Sequence, residues 1–281
     1  MFKLYRILFL LLSPFLRAYF YIRCLYGKDK FESVKNHFGH ATIKRPEGKL
    51  IWVHAASIGE STTALTFIEH VKNQFPDLNV LLTTVTVTSA RILAPKIAKI
   101  RGCYHQIAVA DSPRWIAKFL DYWEVDVAFF LESEIWPNIV DTLYCRGIPI
   151  FLLNARLSSR SFNRWSLFRK IFASILKKFT CILAQSEIDA QRYGFFSKNN
   201  VKCIDNLKYA NALLSYDANL LKIFKKMCRG KKVLVAASTH DGEEETIIEA
   251  HKRLISKFDL LTIVIPRHIG RIGDICNLLK K

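Results

Sequence analysis

The chain has 281 residues, enough for one large domain or two modest ones with real cores. Hydrophobic residues make up 51% of it and the mean hydropathy is +0.12, which excludes intrinsic disorder. With 42 Lys and Arg against 24 Asp and Glu, the net charge of +18 suits anionic partners: nucleic acid, acidic lipid headgroups or phosphorylated substrates.

The first 25 residues stand apart. An uncharged run over residues 7–16 contains Pro14, is interrupted by Arg17, and resumes over 18–22 before Arg23. A full membrane span needs about 20 apolar residues, and no A-x-A-like cleavage site follows. Around this run lie Lys3, Arg6, Arg17, Arg23, Lys28, Lys30, Lys35, Lys44, Arg45 and Lys49, against only Asp29, Glu32 and Glu47. Basic flanks on an apolar helix fit a segment lying in the interface of an anionic leaflet. A core helix with a solvated basic rim fits the same pattern.

Short apolar runs then alternate with amphipathic stretches. Strands are predicted over 50–54, 80–85, 104–109, 125–131, 148–153, 181–184 and 201–204, and helices over 61–73, 89–99, 115–123 and 138–145. Continuous apolar strands separated by helices specify a parallel sheet covered on both faces, hence an α/β fold. Residues 206–230 read as a connector, helical from Ala218. A second α/β unit follows, with strands over 232–236 and 260–265, a helix over 243–258 and a short helical stretch. So few elements leave sheet faces uncovered, and this second domain is expected to be incomplete. The expected organisation is a membrane-interface anchor at 1–25, a Rossmann-like domain at 26–210 and a partial one at 211–281. The seven cysteines are scattered, odd in number and free of CxxC spacing, so neither a metal site nor a disulfide framework is expected.

Several polar clusters fall at the carboxyl ends of predicted strands, where open α/β sheets bind ligands. In the string HAASIGE, beginning at His54, small residues precede Glu60 at a helix start. Ser57 and its neighbours let a substrate approach the backbone. Glu60 fits two roles, a proton acceptor facing the cleft and a complement to the helix dipole. In ESEIWPN, beginning at Glu132, two carboxylates end a buried strand, where charge is costly unless paired or functional. In NARLSSRSF, beginning at Asn154, Arg156 and Arg160 sit among hydroxyl residues as a candidate phosphate site. Beyond it, aromatic and aliphatic residues recur at helical spacing from Phe162 to Phe179 among basic ones. That stretch fits either a membrane-resting segment or a helix packed on the sheet. Lys208 follows a strand in NLKY. In the second unit, ASTHDGEE and the PRH of Pro266 and Arg267 also end strands, as places where a phosphate meets a helix terminus or a basic side chain.

Six such strings in register, covering nearly the whole chain, resemble the Kdo transferases of lipopolysaccharide synthesis. The resemblance implies a GT-B glycosyltransferase fold and inverting transfer of Kdo from CMP-Kdo to the lipid A precursor, lipid IVA, on the cytoplasmic side of the cell inner membrane. It further implies that Glu60 is the general base, that Glu132 and Lys208 stabilise the transition state, and that Pro266 and Arg267 contact the CMP. Ser57, Arg156 and Arg160 are candidate acceptor contacts. No cofactor or metal is implied; the expected partners are CMP-Kdo, lipid IVA and anionic membrane lipids, and not nucleic acid. Family members continue further, into segments that complete the CMP site. Two readings follow: an active transferase, or a truncated, inactive homologue that retains the membrane- and acceptor-binding domain. Within the matched part, Ser89 and Asp205 stand where the family usually has glycine, and Val109-Ala110 replaces a Pro-Tyr-like pair.

Overall fold

The computed structural model describes residues 2–27, 29, 31–198, 200–210 and 216–279. The chain divides into two compact units, Met1–Ala212 and Leu213–Lys281. Part of the connector read from the sequence, residues 211–215, lies outside the described residues.

The first unit opens with α1 (Phe2–Leu25), a continuous helix of 24 residues that passes through Pro14. At 1.5 Å per residue it is about 36 Å long. Among the described residues, Tyr5–Leu25 is the segment long and apolar enough to cross a membrane by length and composition. Arg17 interrupts the apolar run but not the helix, since arginine is a good helix former; its guanidinium lies 5.2 Å from the Phe38 ring centre and 6.0 Å from that of Trp115. The helix touches the unit at both ends. Tyr5 donates a hydrogen bond to Asp111 at 3.0 Å, and Phe20 stacks on His37 at 4.0 Å, within α2 (Phe31–His37). Leu11, Phe15 and Leu25 remain exposed.

Next come β1 (Leu50–Ala55), α3 (Ile58–Gln74), β2 (Asn79–Thr84), α4 (Val87–Ile97), β3 (Cys103–Ile107) and α5 (Pro113–Trp123). They are followed by β4 (Val127–Leu131), α6 (Pro137–Cys145), β5 (Ile150–Ala155), α7 (Ser159–Leu167) and α8 (Arg169–Leu176). Finally β6 (Cys181–Ala184), α9 (Glu187–Gly194) and β7 (Val201–Cys203) lead to a 3-10 turn at Leu207–Ala210. The seven strands form one parallel sheet in the order β3-β2-β1-β4-β5-β6-β7. Alternation along the strands feeds two cores. Trp52, Leu81, Phe130 and Leu152 join Phe119, Ile139 and Phe172 on one face, and Val53, Leu82, Leu131 and Leu153 join Ile68 and Leu93 on the other. Each such side chain contributes about 1.5–3 kcal/mol by leaving water.

Local chemistry moves several boundaries away from the sequence-predicted ones. Ser57 and Thr86 cap α3 and α4 by accepting the backbone N–H of Glu60 and Ser89, so both helices begin before their apolar periodicity does. Strand β4 starts late because Glu124 ends α5 at φ +42°. Asp126 then turns to accept the Leu50 N–H at 2.8 Å. The basic aromatic stretch after Arg160 is two helices broken at Phe168. Its Phe172, Ile175, Leu176 and Phe179 pack into the core, which favours the helix-on-sheet reading for that face. Leu167 and Phe168 stay exposed at the junction.

The second unit comprises α10 (Ala218–Cys228), β8 (Lys232–Thr239), α11 (Glu243–Leu254), β9 (Leu260–Pro266), a 3-10 turn at Ile269–Arg271 and α12 (Ile272–Leu278). Strands β8 and β9 pair in parallel from Lys232↔Leu260 to Thr239↔Pro266. Val233, Val235 and Ile265 are exposed on this two-stranded sheet.

Candidate functional site

In the first unit the strand order reverses at β1, with β2 on one side and β4 on the other. Loops leaving the carboxyl ends of such strands diverge and open a crevice. Glu60 follows β1, Glu132 follows β4, Asn154 lies near the end of β5 with Arg156 just beyond it, and Lys208 follows β7.

Glu60 is buried in the first turn of α3. Its Oε2 accepts the Ala56 N–H at 2.7 Å and its Oε1 accepts the Ser57 hydroxyl at 3.0 Å, while Ser57 Oγ accepts the Glu60 N–H at 3.3 Å. This is close to a capping box. Burial raises the Glu60 pKa above the usual carboxylate range. The Ala56 and Ser57 hydrogen bonds offset part of that rise, and the nearby charges of Glu134 and Glu132 add to it.

Glu132 sits at φ +52°, a left-handed backbone that costs energy for a residue with a Cβ. Two backbone hydrogen bonds hold it there: its N–H donates to the Leu153 carbonyl at 2.9 Å, and its carbonyl accepts the Arg156 N–H at 3.2 Å. Its Oε1 accepts a hydrogen bond from Lys208 Nζ at 2.8 Å. Lys208 is placed by two asparagines. Asn206 Oδ1 accepts its N–H at 3.0 Å, and Asn154 Oδ1 accepts the N–H of Leu207 at 3.0 Å. Asn154 is itself buried and left-handed at φ +51°. The turn before this segment places Asp205 at φ +60°, the backbone region in which glycine meets no Cβ penalty.

Glu134, two residues on, accepts a hydrogen bond from Trp136 Nε1 at 2.7 Å and lies 3.6 Å from His54 Nε2. Burial pushes its carboxyl up, but the interactions with His54 and Trp136 outweigh that and leave it below the usual range. Arg156 and Arg160 are exposed. The Arg156 carbonyl accepts the Ser133 hydroxyl at 2.6 Å, tying the β4 and β5 loops together. The nearby serines serve local structure: Ser158 caps α7 by accepting the Ser161 N–H, and Ser159 accepts a hydrogen bond from Arg192 at 2.8 Å.

In the second unit β8 and β9 bring two sequence strings together. Thr239 pairs with Pro266, and the Arg267 N–H donates to the Thr239 carbonyl at 2.9 Å. Arg267 is exposed. The preceding turn takes Ser238 to φ +64° and Gly242 to φ +86°. Arg271 donates to both oxygens of Glu244 at 3.0 Å, and Thr239 donates to Oε1 at 2.7 Å. Led by Arg271, these bonds hold the Glu244 carboxyl down to about 2.

The fold places Glu60, Glu132 and Lys208, the three catalytic candidates of the sequence, at the carboxyl edge of one sheet. Sequence reasoning had not assigned roles to His54, Asn154 or Arg271. Asn154 opens a string already noted and could have been found as a polar residue ending an apolar strand. Nothing in the spacing signals that Arg271 reaches back 27 residues to Glu244. Among the described residues, no group of three or more His, Cys, Asp or Glu gathers as a metal site would require.

Residues 32–211 match the family of 3-deoxy-D-manno-octulosonic-acid transferases (kdotransferases). A 3-deoxy-D-manno-octulosonic acid transferase of Rickettsia bellii is 35% identical over 99% of this chain and 66% of its own length. One from Haemophilus influenzae is 30% identical over 87% of this chain and 57% of its own length. The chain thus spans roughly half to two thirds of the curated relatives it matches. A solved glycosyltransferase of Rickettsia africae shares the fold, with a TM-score of 0.57 at 15% identity over 84% of this chain and 64% of that one. The α/β architecture is that of the GT-B glycosyltransferases.

Proposed function

Because the chain belongs to the Kdo transferase family, we propose that it takes part in transferring Kdo from CMP-Kdo to the lipid A precursor, lipid IVA, at the cytoplasmic face of the inner membrane. The observation that carries this reading is the buried Glu60 carboxylate at the switch point of the sheet, with its basicity raised by burial. A carboxylate with a raised pKa is the stronger general base. In the proposed step a sugar hydroxyl of the acceptor gives its proton to Glu60. Its oxygen bonds to the anomeric carbon of Kdo from the face opposite the phosphate, and the C–O bond to CMP breaks with its electron pair leaving on the phosphate. The Glu132–Lys208 pair supplies a fixed charge and a hydrogen-bond donor beside that crevice. Pro266 and Arg267 are the proposed CMP contacts, with Arg267 offering a guanidinium to the phosphate.

The amphipathic α1, with apolar side chains exposed beside basic ones, supports membrane association. Its contacts with the unit near both ends, through Tyr5 and Phe20, favour a helix lying along the interface over one that leaves the unit to span the bilayer. The test is Kdo transfer from CMP-Kdo to lipid IVA by membranes carrying the full chain, with Glu60→Gln as control. Transfer abolished by that substitution supports the reading. Transfer that survives it removes Glu60 as the base, and no transfer by the unaltered chain removes the reading itself.

A further inference from the structure

His54 is the penultimate residue of β1, buried at 1% exposure in aromatic surroundings. The ring centres of Phe130, Trp52 and Trp136 lie 5.4, 6.2 and 6.3 Å away. Its Nδ1 is 2.9 Å from Thr83 Oγ1, which also accepts the Trp52 Nε1–H at 2.8 Å. Thr83 is therefore an acceptor toward Trp52 and has its one proton available for His54 Nδ1. Thr83 Oγ1 has a second lone pair that would equally accept an Nδ1–H, so it is the carboxylate facing Nε2 that favours the tautomer with its ring proton there. The opposite tautomer would aim the Nε2 lone pair at a carboxylate.

Nε2 has no hydrogen-bond partner at ordinary distance among the described residues, and Glu134 Oε2 lies 3.6 Å away. The Trp136 indole holds the same oxygen from the other side. Glu134 is faced by His54 from β1, and its charge acts on the Glu60 carboxyl of α3. Glu132 flanks it on its own loop, with Lys208 bound to Glu132 beyond. Behind His54 and Trp136 is a cavity of about 170 Å³, which Arg23, His37 and Asp111 also line.

We propose, building on the reading of Glu60 as base, that His54 is a positioning residue. Across 3.6 Å its Nε2–H favours the ionised Glu134 carboxylate, and the Glu134 charge makes Glu60 the stronger base. Hydrogen bonds run from Trp52 to Thr83 and from Thr83 to His54, and the His54 Nε2–H then faces Glu134 Oε2 across 3.6 Å as an ion–dipole contact. A buried polar chain with every member oriented is rigid, and in low dielectric one charge acts strongly on its neighbour. The directions found for the two carboxyls, Glu134 down and Glu60 up, agree with this arrangement.

The test is a carboxyl ¹³C NMR titration of the full chain in detergent micelles, with glutamate labelled at Cδ. The Glu60 and Glu134 signals are assigned by their loss in Glu60→Gln and Glu134→Gln. In Glu134→Gln the Glu60 midpoint falls by about half to one pH unit, because a neighbouring negative charge is gone. In His54→Phe the Glu134 midpoint rises by about one pH unit, and His54→Gln, whose amide donates toward the carboxylate, restores most of it. A merely structural histidine would lower the melting temperature in both variants without ordering these midpoints. An unmoved Glu60 midpoint in Glu134→Gln overturns the proposal. So does a Glu134 midpoint that is the same in wild type and His54→Gln as in His54→Phe, or a rise that His54→Gln fails to reverse. If His54→Phe does not fold, Glu134→Gln and His54→Gln still decide it. The titration needs neither donor nor acceptor, so it stands or falls separately from the transfer assay.

Discussion

Lys208 Nζ and Glu132 Oε1 meet at 2.8 Å although 76 residues separate them in the chain. The contact joins the end of β4 to the turn after β7, across two intervening strands. The Lys208 side chain is 41% exposed and that of Glu132 13%, so the pair is a weak source of stability and a well-placed source of charge. Lys208→Met is expected to cost under about 1 kcal/mol of stability while lowering the transfer rate about 100-fold or more. Thermal melts beside initial rates check this. A large loss of stability with an unchanged rate would make the pair structural.

Asn154 holds Lys208 indirectly, through the N–H of Leu207. Asn154→Ala loses that hydrogen bond and puts a residue less suited than asparagine at φ +51°. The combined cost is expected at about 2–4 kcal/mol. Asn154→Gly relieves the backbone but not the lost bond, so its urea midpoint should lie between wild type and Asn154→Ala. The reverse order would show that the hydrogen bond contributes little.

Asp111 and His105 give opposing pH dependences. Burial pushes the Asp111 carboxyl up to about 6 from an ordinary 3.8, against the hydrogen bonds it accepts from Ile139, Asn138 and Tyr5. Between those values the folded chain keeps a proton that the unfolded chain has lost, so this group's contribution to stability falls as pH rises from about 4 to about 6. Burial pulls His105 down to about 4 from 6.5. There the unfolded chain binds the extra proton, and the contribution rises with pH over about 4 to 6.5. Each effect is worth up to about 2–3 kcal/mol. Chemical denaturation from pH 4 to 7 should therefore show a steeper rise in Asp111→Asn than in wild type, and a shallower one in His105→Gln. Parallel curves for all three would refute both assignments.

Leu167 and Phe168 lie exposed between α7 and α8, beside Arg164 and Lys170. If this junction rests on the membrane together with α1, Leu167→Ser with Phe168→Ser should weaken binding to anionic vesicles about tenfold or more. The fold should not change, because neither side chain is buried. Sedimentation with liposomes reads the effect. Undiminished binding would leave attachment to α1 and the basic surface.

The sequence alone determined the parallel sheet, because apolar strands and amphipathic helices must alternate to cover both faces. It also determined which polar strings end those strands. Glu60 and Glu132 were legible because each places a charge at the end of an apolar strand, where it needs a reason; Lys208, by itself an ordinary surface lysine, was singled out through the resemblance of its NLKY string. Helix starts at Ser57 and Thr86 were missed because a cap is a hydrogen bond, and hydrophobic periodicity does not register it. The Phe38 and Trp115 rings that receive the Arg17 guanidinium lie far from it in sequence, so that contact was not legible. Only the tertiary structure decided the partnerships: Glu132 with Lys208, His54 with Thr83 and Glu134, and Arg271 with Glu244. Each joins residues at least 27 apart, and His54 reaches Glu134 because β1 pairs with β4. Spacing along a chain specifies which face a residue takes within its own element. Strand order and register decide which other element that face meets.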